Sequence, residues 1–586
     1  MTYPLIGITH LDKLIQRKND GWEQLPKTWP DCLRRVLAAR GIGSEADLTY
    51  DLAELPKPDE MLGMSEASKL MAQAVMEQWR IMIVADFDTD GATSCAVAIR
   101  GLRAMGALYV DYIVPNRFIH GYGLTPELLA DVPTDNQPDL LMTVDNGIAS
   151  LAGVRVAHDR GIKVVVTDHH LQGDVLPDAD AIINPNQRGD TFPSKNIAGV
   201  GVCFYLLLGL RQQLRAQGWF EQQQRQAPPL QALLDLVALG TVADVVPLDK
   251  LNRTFVHLGL ARIRAGRACA GIKALIQVSG RDVSKLASQD MGFSIAPRLN
   301  AAGRLEDMSL GIEALLMDDD SQALTAAQTL DDINKQRREV EQDMQTQALS
   351  MLPEIAVSSE QETLGYCLFD PSWHQGVIGL LASRIKERQH RPVIAFAPGN
   401  EGEVKGSARS IPGVHIRDVL ALVASQAPVG MLTRFGGHAM AAGLTLDTED
   451  LPLFERLFLK VLKDTIEPSV LRQDIVTDGE LSAEEITLPL AEFLPTAAPW
   501  GQGFSEPTFH GTFIVDNCRA VGQQQDHLRL SLQLNNKQVI TAMAFRQTQA
   551  EWLQQGRKVT VCYRLAVNEF RQQRSVQMIV DTLLPV

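Results

Sequence analysis

The sequence predicts an α/β protein with four parts: a doubly wound domain, a long connecting helix, a second α/β domain and a C-terminal β-barrel. Three patterns indicate this architecture. Short β-branched runs alternate with helical periodicity between residues 62 and 248, residues 321–352 form a helical stretch without glycine or proline, and alternating strands follow residue 508. Strands separated by helices of this length are typical of a doubly wound sheet. A chain of 586 residues is also too long for a single core.

The first α/β pattern occupies residues 61–250 and follows an irregular N-terminal extension, residues 1–60. Its predicted strands are short and rich in branched apolar residues, as expected of buried parallel strands. A helical segment at 233–248 closes the pattern. The predicted strands are 81–85, 109–114, 140–144, 163–167 and 181–184, and the predicted helices between and around them are 62–80, 92–106, 148–160 and 198–216.

Three further regions follow this domain. Residues 251–352 carry few strand signals and indicate a helical region that ends in the long connecting helix. Residues 353–465 show the second α/β pattern, and residues 466–586 form the last domain. This last domain predicts a small barrel of the oligonucleotide-binding (OB) type from four alternating segments, 527–534, 539–545, 558–567 and 575–583.

Charge is unevenly distributed along the chain. The net charge is −15, which by itself argues against a nucleic-acid-binding protein. Residues 508–586, however, contain 9 Lys/Arg against 5 Asp/Glu, so a basic last domain can still hold a polyanion in one groove. Clustered carboxylates that bind cations also make the total more negative.

The cysteines, and the lack of a signal-peptide or membrane-spanning pattern, indicate the cellular compartment in which we expect the protein. Seven scattered cysteines without a CxxC pair argue against a disulfide framework or a zinc site and favour a reducing cytoplasm. The N-terminus lacks the pattern of a signal peptide, and the most apolar run, 198–210, is too short to cross a bilayer. We therefore expect a soluble cytoplasmic protein without membrane association.

Carboxylates and imidazoles follow several of the predicted elements. Because the carboxyl ends of parallel strands meet at one edge of a sheet, three of the four groups are expected to converge there. Each group alone is equally well explained by helix N-caps and turn residues, but all four in one sheet favour metal binding. The groups are Asp86, Asp88 and Asp90 after 81–85, Asp145 after 140–144, Asp168, His169 and His170 after 163–167, and Asp244 at the end of an apolar helix.

The donor set indicates which metal chemistry is expected. Carboxylates crowded into one crevice raise each other's pKa unless cations neutralise them. Mixed Asp and His ligands without a thiolate suit Mn²⁺ or Mg²⁺. Two such ions that share a carboxylate form a hydrolytic centre, in which an activated water attacks a phosphodiester in line.

Four short motifs carry a resemblance to a known family. The segments DFDTDG (86–91), VDNG (144–147), TDHH (167–170) and ALGTVADVVPL (238–248), in this order, resemble the DHH phosphoesterase superfamily. Further segments resemble its bacterial single-strand-specific 5′→3′ DNA exonucleases. They are VPNRFIHGYGL (114–124), PRLNAAGRL (297–305), WHQGVIGLLASRIKERQHRPVIAFA (373–397), GSARS (406–410), FGGHAMAAG (435–443) and PWGQGFSEPTF (499–509).

The resemblance covers nearly the whole chain, with two small departures. Ala85 stands where a glycine is common, and His120 stands where an acidic residue is usual. Neither position is a predicted ligand. The resemblance makes 61–250 a DHH catalytic domain, 353–465 a DHHA1-type substrate-binding domain and 466–586 an OB-type nucleic-acid-binding domain.

The resemblance also implies roles at the metal crevice. His170 would contact a phosphate or leaving oxygen, although it is equally well explained as a supporting histidine that transfers no proton. Asp86 and His170 would be ligands or supporting groups, and Asp168 would orient the imidazoles. The implied metal ligands are Asp88, Asp90, Asp145, His169 and Asp244, with Asp145 bridging both ions.

A second set of residues would bind the 5′-terminal phosphate and the DNA backbone. Glycine pairs let backbone amides approach a phosphate, and arginine binds it bidentately. Each arginine alone is more often a surface or salt-bridge residue. The implied set is Arg117, His374, Ser407, Arg409, His438 and one of Arg298 or Arg304. In the barrel, Phe545, Trp552, Tyr563 and Phe570 would either stack on bases or form barrel core.

The function that the resemblance implies is a metal-dependent 5′→3′ exonuclease. It would degrade single-stranded DNA to 5′-mononucleotides in DNA repair and recombination, as a monomer with two Mn²⁺ or Mg²⁺ ions. A narrow passage between two lobes would exclude duplex. Single-strand-binding protein and a RecQ-type helicase are the implied partners. The alternatives are a pyrophosphatase, a phosphodiesterase for short oligonucleotides or cyclic dinucleotides, and a replication scaffold that has lost its metals.

Overall fold

The protein is described from a computed structural model, which covers residues 13–357, 363–400, 402–432, 434–522, 525–535, 537–547, 552–571 and 573–586. Residues 1–12 of the predicted N-terminal extension lie outside the described residues. The chain divides into two compact units. The first contains Arg17–Asn334 and Thr477–Val586, and the second contains Lys335–Val476 with the described residues up to Gln16.

A parallel five-stranded sheet lies in the first unit. In chain order, the described α-helices and strands from the N-terminus to the end of this region are β1 (Leu14–Gln16), α1 (Asp31–Ala38), α2 (Met64–Met76), β2 (Ile81–Val84), α3 (Thr89–Met105), β3 (Val110–Ile113), α4 (Pro126–Ala130), β4 (Leu140–Val144), α5 (Leu151–Asp159), β5 (Lys163–Thr167), β6 (Ala181–Ile183), α6 (Gly199–Ala216), α7 (Trp219–Gln222) and α8 (Leu234–Ala243). The sheet consists of strands β2 to β6. The strand order is β3-β2-β4-β5-β6. This is the predicted doubly wound arrangement.

The central strands β4 and β5 are almost entirely buried, as their apolar sequences predict. All five residues of β4 and the last four of β5 are buried. The register pairs Val84 with Thr143 and Thr143 with Val166, so the strands end at similar heights. The side chains that follow these strands therefore start from one edge of the sheet.

The closing helix is shorter than the predicted 233–248. Helix α8 ends at Ala243, and Asp244 follows as its C-terminal cap residue. The next residue, Val245, has a φ of 62°, which is rare for a β-branched side chain and ends the helical path. Asp244 consequently lies at a turn instead of inside a helix.

A helical region joins the sheet to the rest of the chain. The described elements are α9 (Lys250–Arg264), α10 (Ala270–Ser279), α11 (Ser288–Asp290), a π-helical turn at Met291–Ile295, α12 (Ala296–Leu305), α13 (Ser309–Leu316) and α14 (Asp320–Val357). Helix α14 has 38 residues and contributes to both units. It confirms the long helix that the glycine- and proline-free stretch predicts.

The second unit is built around a mixed five-stranded sheet in the order β10-β11-β9-β8-β7. Among the described strands of this sheet, β7 and β8 pair in parallel, and the remaining neighbours pair antiparallel. Its elements are β7 (Tyr366–Phe369), α15 (Ile378–Gln389), β8 (Val393–Pro398), β9 (Glu403–Arg409), α16 (Ile416–Gln426), β10 (Arg434–Gly437), β11 (Ala441–Asp447) and α17 (Leu451–Thr465). Strand β12 (Ile475–Thr477) pairs with β1.

The C-terminal region returns to the first unit as a closed barrel. Its elements are α18 (Leu488–Ala497), β13 (Phe509–Val521), β14 (His527–Gln533), β15 (Val539–Ala544), β16 (Lys558–Phe570) and β17 (Gln573–Pro585). The closed order β13-β14-β15-β17-β16 confirms the predicted barrel and adds β13 as its first strand. Core residues of the barrel, such as Phe509 and Tyr563, belong to the same apolar cluster as Ile83 of the parallel sheet. The barrel and the parallel sheet therefore share one core.

No helix within the described part of the chain is long and apolar enough to span a membrane.

Candidate metal centre and phosphate-binding residues

Side chains from all four predicted groups converge at the carboxyl edge of the parallel sheet. Their potential ligand atoms form three overlapping clusters, and within each cluster the atoms lie within 4.8 Å of one another. The clusters are Asp86, Asp88 and Asp145; Asp90, His169 and Asp244; and Asp145, His169 and His170. Asp145 and His169 each belong to two clusters, so the clusters form one continuous centre.

The loop between β2 and α3 positions three of the carboxylates. Asp88 caps α3, because its side chain accepts a hydrogen bond from the Gly91 amide at 3.1 Å. Asp90, at the start of α3, accepts hydrogen bonds from the amides of Gly199 and Val200 at 2.7 and 3.0 Å. These amides begin α6, and the partial positive charge of a helix N-terminus favours a carboxylate there. Asp88 is thus both the N-cap of α3 and a member of a ligand cluster.

Asp145 lies at the centre of the site in a left-handed backbone conformation, with a φ of 60°. Its side chain fits against α6 only because residue 199 is glycine: a Cβ on Gly199 would lie 2.5 Å from Asp145 Oδ1. The tight fit places Asp145 Oδ1 at 3.2 Å from His169 Nε2. His169 Nε2 also lies 3.4 Å from Asp244 Oδ2.

The donor atoms at this point fit a bound cation. Asp145 Oδ1, His169 Nε2 and Asp244 Oδ2 are buried, and none finds a hydrogen-bond partner among the described residues. Buried polar atoms are normally satisfied, and a group without a partner indicates a water, an ion or a functional role. Two carboxylate oxygens and an imidazole nitrogen that meet without hydrogen-bond geometry are a suitable ligand set for Mn²⁺ or Mg²⁺.

Electrostatics supports the same interpretation. Burial, together with the neighbouring charges of Asp90, Asp88 and Asp244, raises the pKa of Asp145 well above its usual range. Burial and adjacent carboxylates raise the pKa of Asp86 and Asp90 in the same way. Cations are the natural means of keeping these carboxylates ionised at neutral pH.

Asp168 and His170 form a pair beside the cluster. The Oδ1 atom of Asp168 accepts from the His169 and His170 amides and lies 2.7 Å from His170 Nδ1, while Oδ2 accepts from the Ile148 amide. Burial alone would raise the pKa of Asp168, but the hydrogen bond and charge of His170 outweigh it and lower the pKa to about 2. Burial alone would lower the pKa of His170, and its contact with Asp168 raises the pKa to about 9. The pair thus favours a protonated imidazole.

Tyr122 is a site residue that the sequence analysis did not single out. Its hydroxyl donates to the Asp145 carbonyl at 3.1 Å and lies 3.4 Å from both ring nitrogens of His170. Its ring makes an edge contact with Phe87, and the Arg117 guanidinium lies 4.1 Å from the centre of that Phe87 ring. The sequence signal for Tyr122 is its place between two glycines in the segment VPNRFIHGYGL (114–124).

The three predicted arginines of the first unit differ in their surroundings. Arg117 Nε is buried and has no hydrogen-bond partner among the described residues. Burial lowers the pKa of Arg117, and Asp86 and Asp88 partly oppose this effect. Arg298 is buried and pairs with Asp331 at 2.7 Å. Arg304 is half-buried on α12. Arg298 is therefore engaged in an internal ion pair.

The predicted phosphate-binding residues of the second unit include a close pair. Arg409 donates to Ser407 Oγ at 3.0 Å. Helix α15 starts against this pair: a Cβ on Gly379 would lie 2.9 Å from an Arg409 nitrogen and 3.0 Å from Ser407 Oγ. Burial lowers the pKa of Arg409, and the described residues give it no acidic partner. An arginine, a hydroxyl and a helix N-terminus are groups that suit an anion.

Two histidines of the second unit lie elsewhere on the same fold. His374 precedes α15, and its Nδ1 accepts a hydrogen bond from the Gly376 amide at 3.1 Å. His438 is exposed in the turn between β10 and β11, where its amide donates to the Ala441 carbonyl at 2.7 Å.

The four barrel aromatics divide between core and surface. Tyr563 is fully buried, so the core alternative is right for it, and Trp552 packs partly buried against the same core. Phe545 and Phe570 are 50% and 65% exposed, so the core alternative is wrong for these two. Phe545 contacts the His527 ring edge-on, and Arg571 lies 5.2 Å from the centre of the Phe570 ring.

The fold and the site together define a protein of the DHH family. The family model of the DHH N-terminal domain matches residues 80–241, that of the DHHA1 domain matches 361–466, and that of the RecJ OB domain matches 477–582. The chain belongs to the RecJ family. It is 47% identical to the single-stranded-DNA-specific exonuclease RecJ of Escherichia coli over 98% of this chain and 99% of that protein.

Two solved structures extend the comparison to metal-bound proteins. The crystal structure of RecJ from Thermus thermophilus in complex with Mn²⁺ is 28% identical, with a TM-score of 0.79, and covers 98% of this chain and 80% of that one. The corresponding Mg²⁺ complex is 26% identical, with a TM-score of 0.74, and the match covers 98% of this chain and 79% of that one.

Proposed function

We propose that this protein is a metal-dependent exonuclease that degrades single-stranded DNA from the 5′ end to 5′-mononucleotides. The observation that carries the proposal is the meeting of Asp145 Oδ1, His169 Nε2 and Asp244 Oδ2, all buried and without hydrogen-bond partners among the described residues. The metal-bound RecJ relatives support Mn²⁺ or Mg²⁺ as the ions.

The proposed ligand set uses the whole cluster. Two ions would share Asp145, which belongs to two of the three ligand clusters. The other proposed ligands are Asp88, Asp90, His169 and Asp244. Asp86, which begins the loop that carries Asp88 and Asp90, would be a further ligand or would support these ligands. Bound ions would neutralise charge on the phosphate and supply an activated water.

The residues around the ligands have separate tasks in the proposed mechanism. Asp168 holds His170 Nδ1 and keeps the ring protonated. His170 Nε2 is then the atom that donates to a phosphate or leaving oxygen. Tyr122 fixes the Asp145 backbone through its carbonyl and limits the movement of His170. A donor at this position would stabilise the negative charge that develops on the phosphate or leaving oxygen in the transition state.

Polarity follows from recognition of a terminal phosphate. Arg409, Ser407 and the start of α15 form the anion site of the second unit, and Arg117 has a buried Nε available for a phosphate oxygen. One of the two α12 arginines, Arg298 or Arg304, would contact the DNA. His374 and His438 would contact the backbone.

The barrel would hold the strand beyond the active site. The exposed rings of Phe545 and Phe570 are suited to stacking on bases, and the basic charge of 508–586 suits the backbone. A role in DNA repair and recombination, a monomeric state, and partnership with single-strand-binding protein and a RecQ-type helicase complete the proposal.

The test is an end-resolved nuclease assay with Mn²⁺ or Mg²⁺. A single-stranded oligonucleotide labelled at its 5′ end should release the label at once as a mononucleotide, whereas a 3′-labelled strand should shorten progressively. Asp145→Asn should lower the rate by at least about a hundredfold, because it weakens a ligand shared by two ions. Asp178→Asn, an exposed carboxylate in the same domain, is the matched control.

Two results would contradict the proposal. Release of the 3′ label first would refute the polarity. Hydrolysis of pyrophosphate or a cyclic dinucleotide with no action on single-stranded DNA would place the protein with other phosphoesterases.

A further inference from the structure

The loop that carries Asp86, Asp88 and Asp90 is held from outside the sheet by α12. Asn300 Oδ1 accepts a hydrogen bond from the Thr89 amide at 2.9 Å. The Thr89 hydroxyl in turn donates to the Ala296 carbonyl at 3.1 Å. Thr89 is buried and lies between Asp88 and Asp90, so its amide and its hydroxyl both anchor the residue that joins these two carboxylates.

A glycine brings the helix and the loop together. A Cβ on Gly303 would lie 1.9 Å from the Phe87 carbonyl oxygen, a distance that no side chain can occupy unless the backbone moves. Phe87 lies between Asp86 and Asp88. Since Gly303 follows Asn300 by almost one helical turn, the two residues contact neighbouring positions of the same loop.

Helix α12 is itself fixed to a neighbouring helix. Arg298 pairs with Asp331 of α14 at 2.7 Å, and one of its terminal nitrogens also donates to the Ser294 carbonyl. Arg298 is buried, so this ion pair is shielded from solvent. A helix tied to a neighbouring helix is a rigid support for a loop.

We propose that α12 sets the geometry of the carboxylates at 86–90 for ion binding, with Asn300 and Gly303 as positioning residues. The proposal rests on the proposed metal-dependent function and assigns to this helix a task other than DNA contact. Asn300 bonds the Thr89 amide and Gly303 lies against the Phe87 carbonyl, so both act through the backbone of the loop. Groups that orient metal ligands in this way typically contribute about 10- to 100-fold to metal affinity.

The first experiment removes the acceptor at residue 300 in the full chain. Mn²⁺ binding without DNA is measured by calorimetry for wild type, Asn300→Leu and Asn300→Asp. The Leu variant keeps the approximate size and loses the acceptor, so its affinity for Mn²⁺ should fall about 10- to 100-fold. The Asp variant keeps an oxygen for the Thr89 amide, so it should bind Mn²⁺ about as well as wild type.

The second experiment adds a methyl group at residue 303. Gly303→Ala should weaken Mn²⁺ binding, because the Phe87 backbone must move. Gly311→Ala is the matched control, since its Cβ would meet only the side chains of Met308 and Leu299. Thermal unfolding without metal is recorded for every variant, because alanine ordinarily favours a helix over glycine.

Nuclease assays separate positioning from general damage. If α12 acts through ion binding, the lost kcat of Asn300→Leu and Gly303→Ala should recover at saturating Mn²⁺, and KM for long single strands should stay unchanged. Wild-type Mn²⁺ affinity in both variants, or an equal loss in Asn300→Asp and Gly311→Ala, would overturn the proposal. Absence of Mn²⁺ binding by the wild-type protein would instead overturn the metal-dependent function on which it rests.

Discussion

Asp145 combines an unusual backbone conformation with a central position in the site. Its φ of 60° lies in the left-handed region, which aspartate tolerates better than most residues because its short side chain can bond locally. The Tyr122 hydroxyl bonds its carbonyl, and Gly199 leaves room for its carboxylate. The local conformation is therefore maintained by contacts with distant residues and directs the carboxylate into the cluster.

Substitution of Arg409 tests whether this residue recognises the 5′ end of the DNA strand. Arg409→Ala removes a charge-assisted contact to the proposed 5′ phosphate, which typically costs about 1.5–3 kcal/mol, or roughly one to two powers of ten in productive binding. The loss should appear with 5′-phosphorylated strands and shrink with 5′-hydroxyl strands. The measurement is the ratio of cleavage rates for the two strands.

Two controls accompany this measurement. Arg417→Ala removes an exposed arginine from α16 and should leave the ratio as in wild type. Mn²⁺ affinity should not change in Arg409→Ala, because the ligand clusters among the described residues consist of first-unit residues and Arg409 belongs to the second unit. A wild-type ratio in Arg409→Ala would show that polarity has another origin.

Among the elements, the barrel is bound to the rest of the first unit by a continuous apolar core. Trp500, Phe509 and Tyr563 belong to the same buried cluster as residues of the parallel sheet. Deleting the chain after residue 508 would expose this shared core, so loss of DNA binding by a truncated protein would not isolate the barrel's role. Substitutions on the barrel surface are the cleaner experiment.

The double substitution Phe545→Ala and Phe570→Ala tests stacking on the barrel. Stacking of a base on an aromatic side chain contributes about 1–3 kcal/mol, so the Kd for a long single strand should rise by at least about tenfold. Cleavage of a saturating short strand should persist. Val539→Ala, which shortens another exposed apolar side chain of the barrel, is the control. Unchanged affinity in the double variant would remove the two rings from the binding surface.

For the whole molecule, the concentration of negative charge has a thermodynamic consequence. The net charge is −15, and Asp86, Asp90 and Asp145 are buried together with raised pKa values. Ions that bind the folded protein and not the unfolded chain stabilise the folded state by mass action, by about 2.7 kcal/mol when their concentration is a hundred times Kd.

Mn²⁺ should accordingly raise the Tm by several degrees, and a chelator should reverse the shift. Asp145→Asn should show a much smaller shift, and its metal-free form should be at least as stable as metal-free wild type, because one repelling charge is gone. Differential scanning calorimetry checks both statements. An equal Mn²⁺ shift in the two proteins would mean that the ions stabilise the protein elsewhere.

The comparisons confirm the predicted family and fold class, together with a Mn²⁺- or Mg²⁺-dependent single-strand exonuclease. The boundaries at 61–250, 251–352, 353–465 and 466–586 stay predictions, as do the individual site roles and the passage between lobes that would exclude duplex.

What the sequence determined by itself was the set of chemical groups and the edge at which they meet. Strands β2, β4 and β5 were evident from short branched runs, and the carboxyl ends of parallel strands share one edge whatever the details of packing. The ligand types, and with them a preference for Mn²⁺ or Mg²⁺, follow from residue identity alone.

Only the tertiary structure decided how individual side chains are used. Residue type alone does not show that Arg298 is buried in an ion pair with Asp331. Tyr563 and Phe570 both lie on β16, yet one is buried and the other exposed. Asn300 supports Thr89 across 211 positions of the chain. Such contacts join residues that no local pattern relates, because their proximity results from the packing of whole elements.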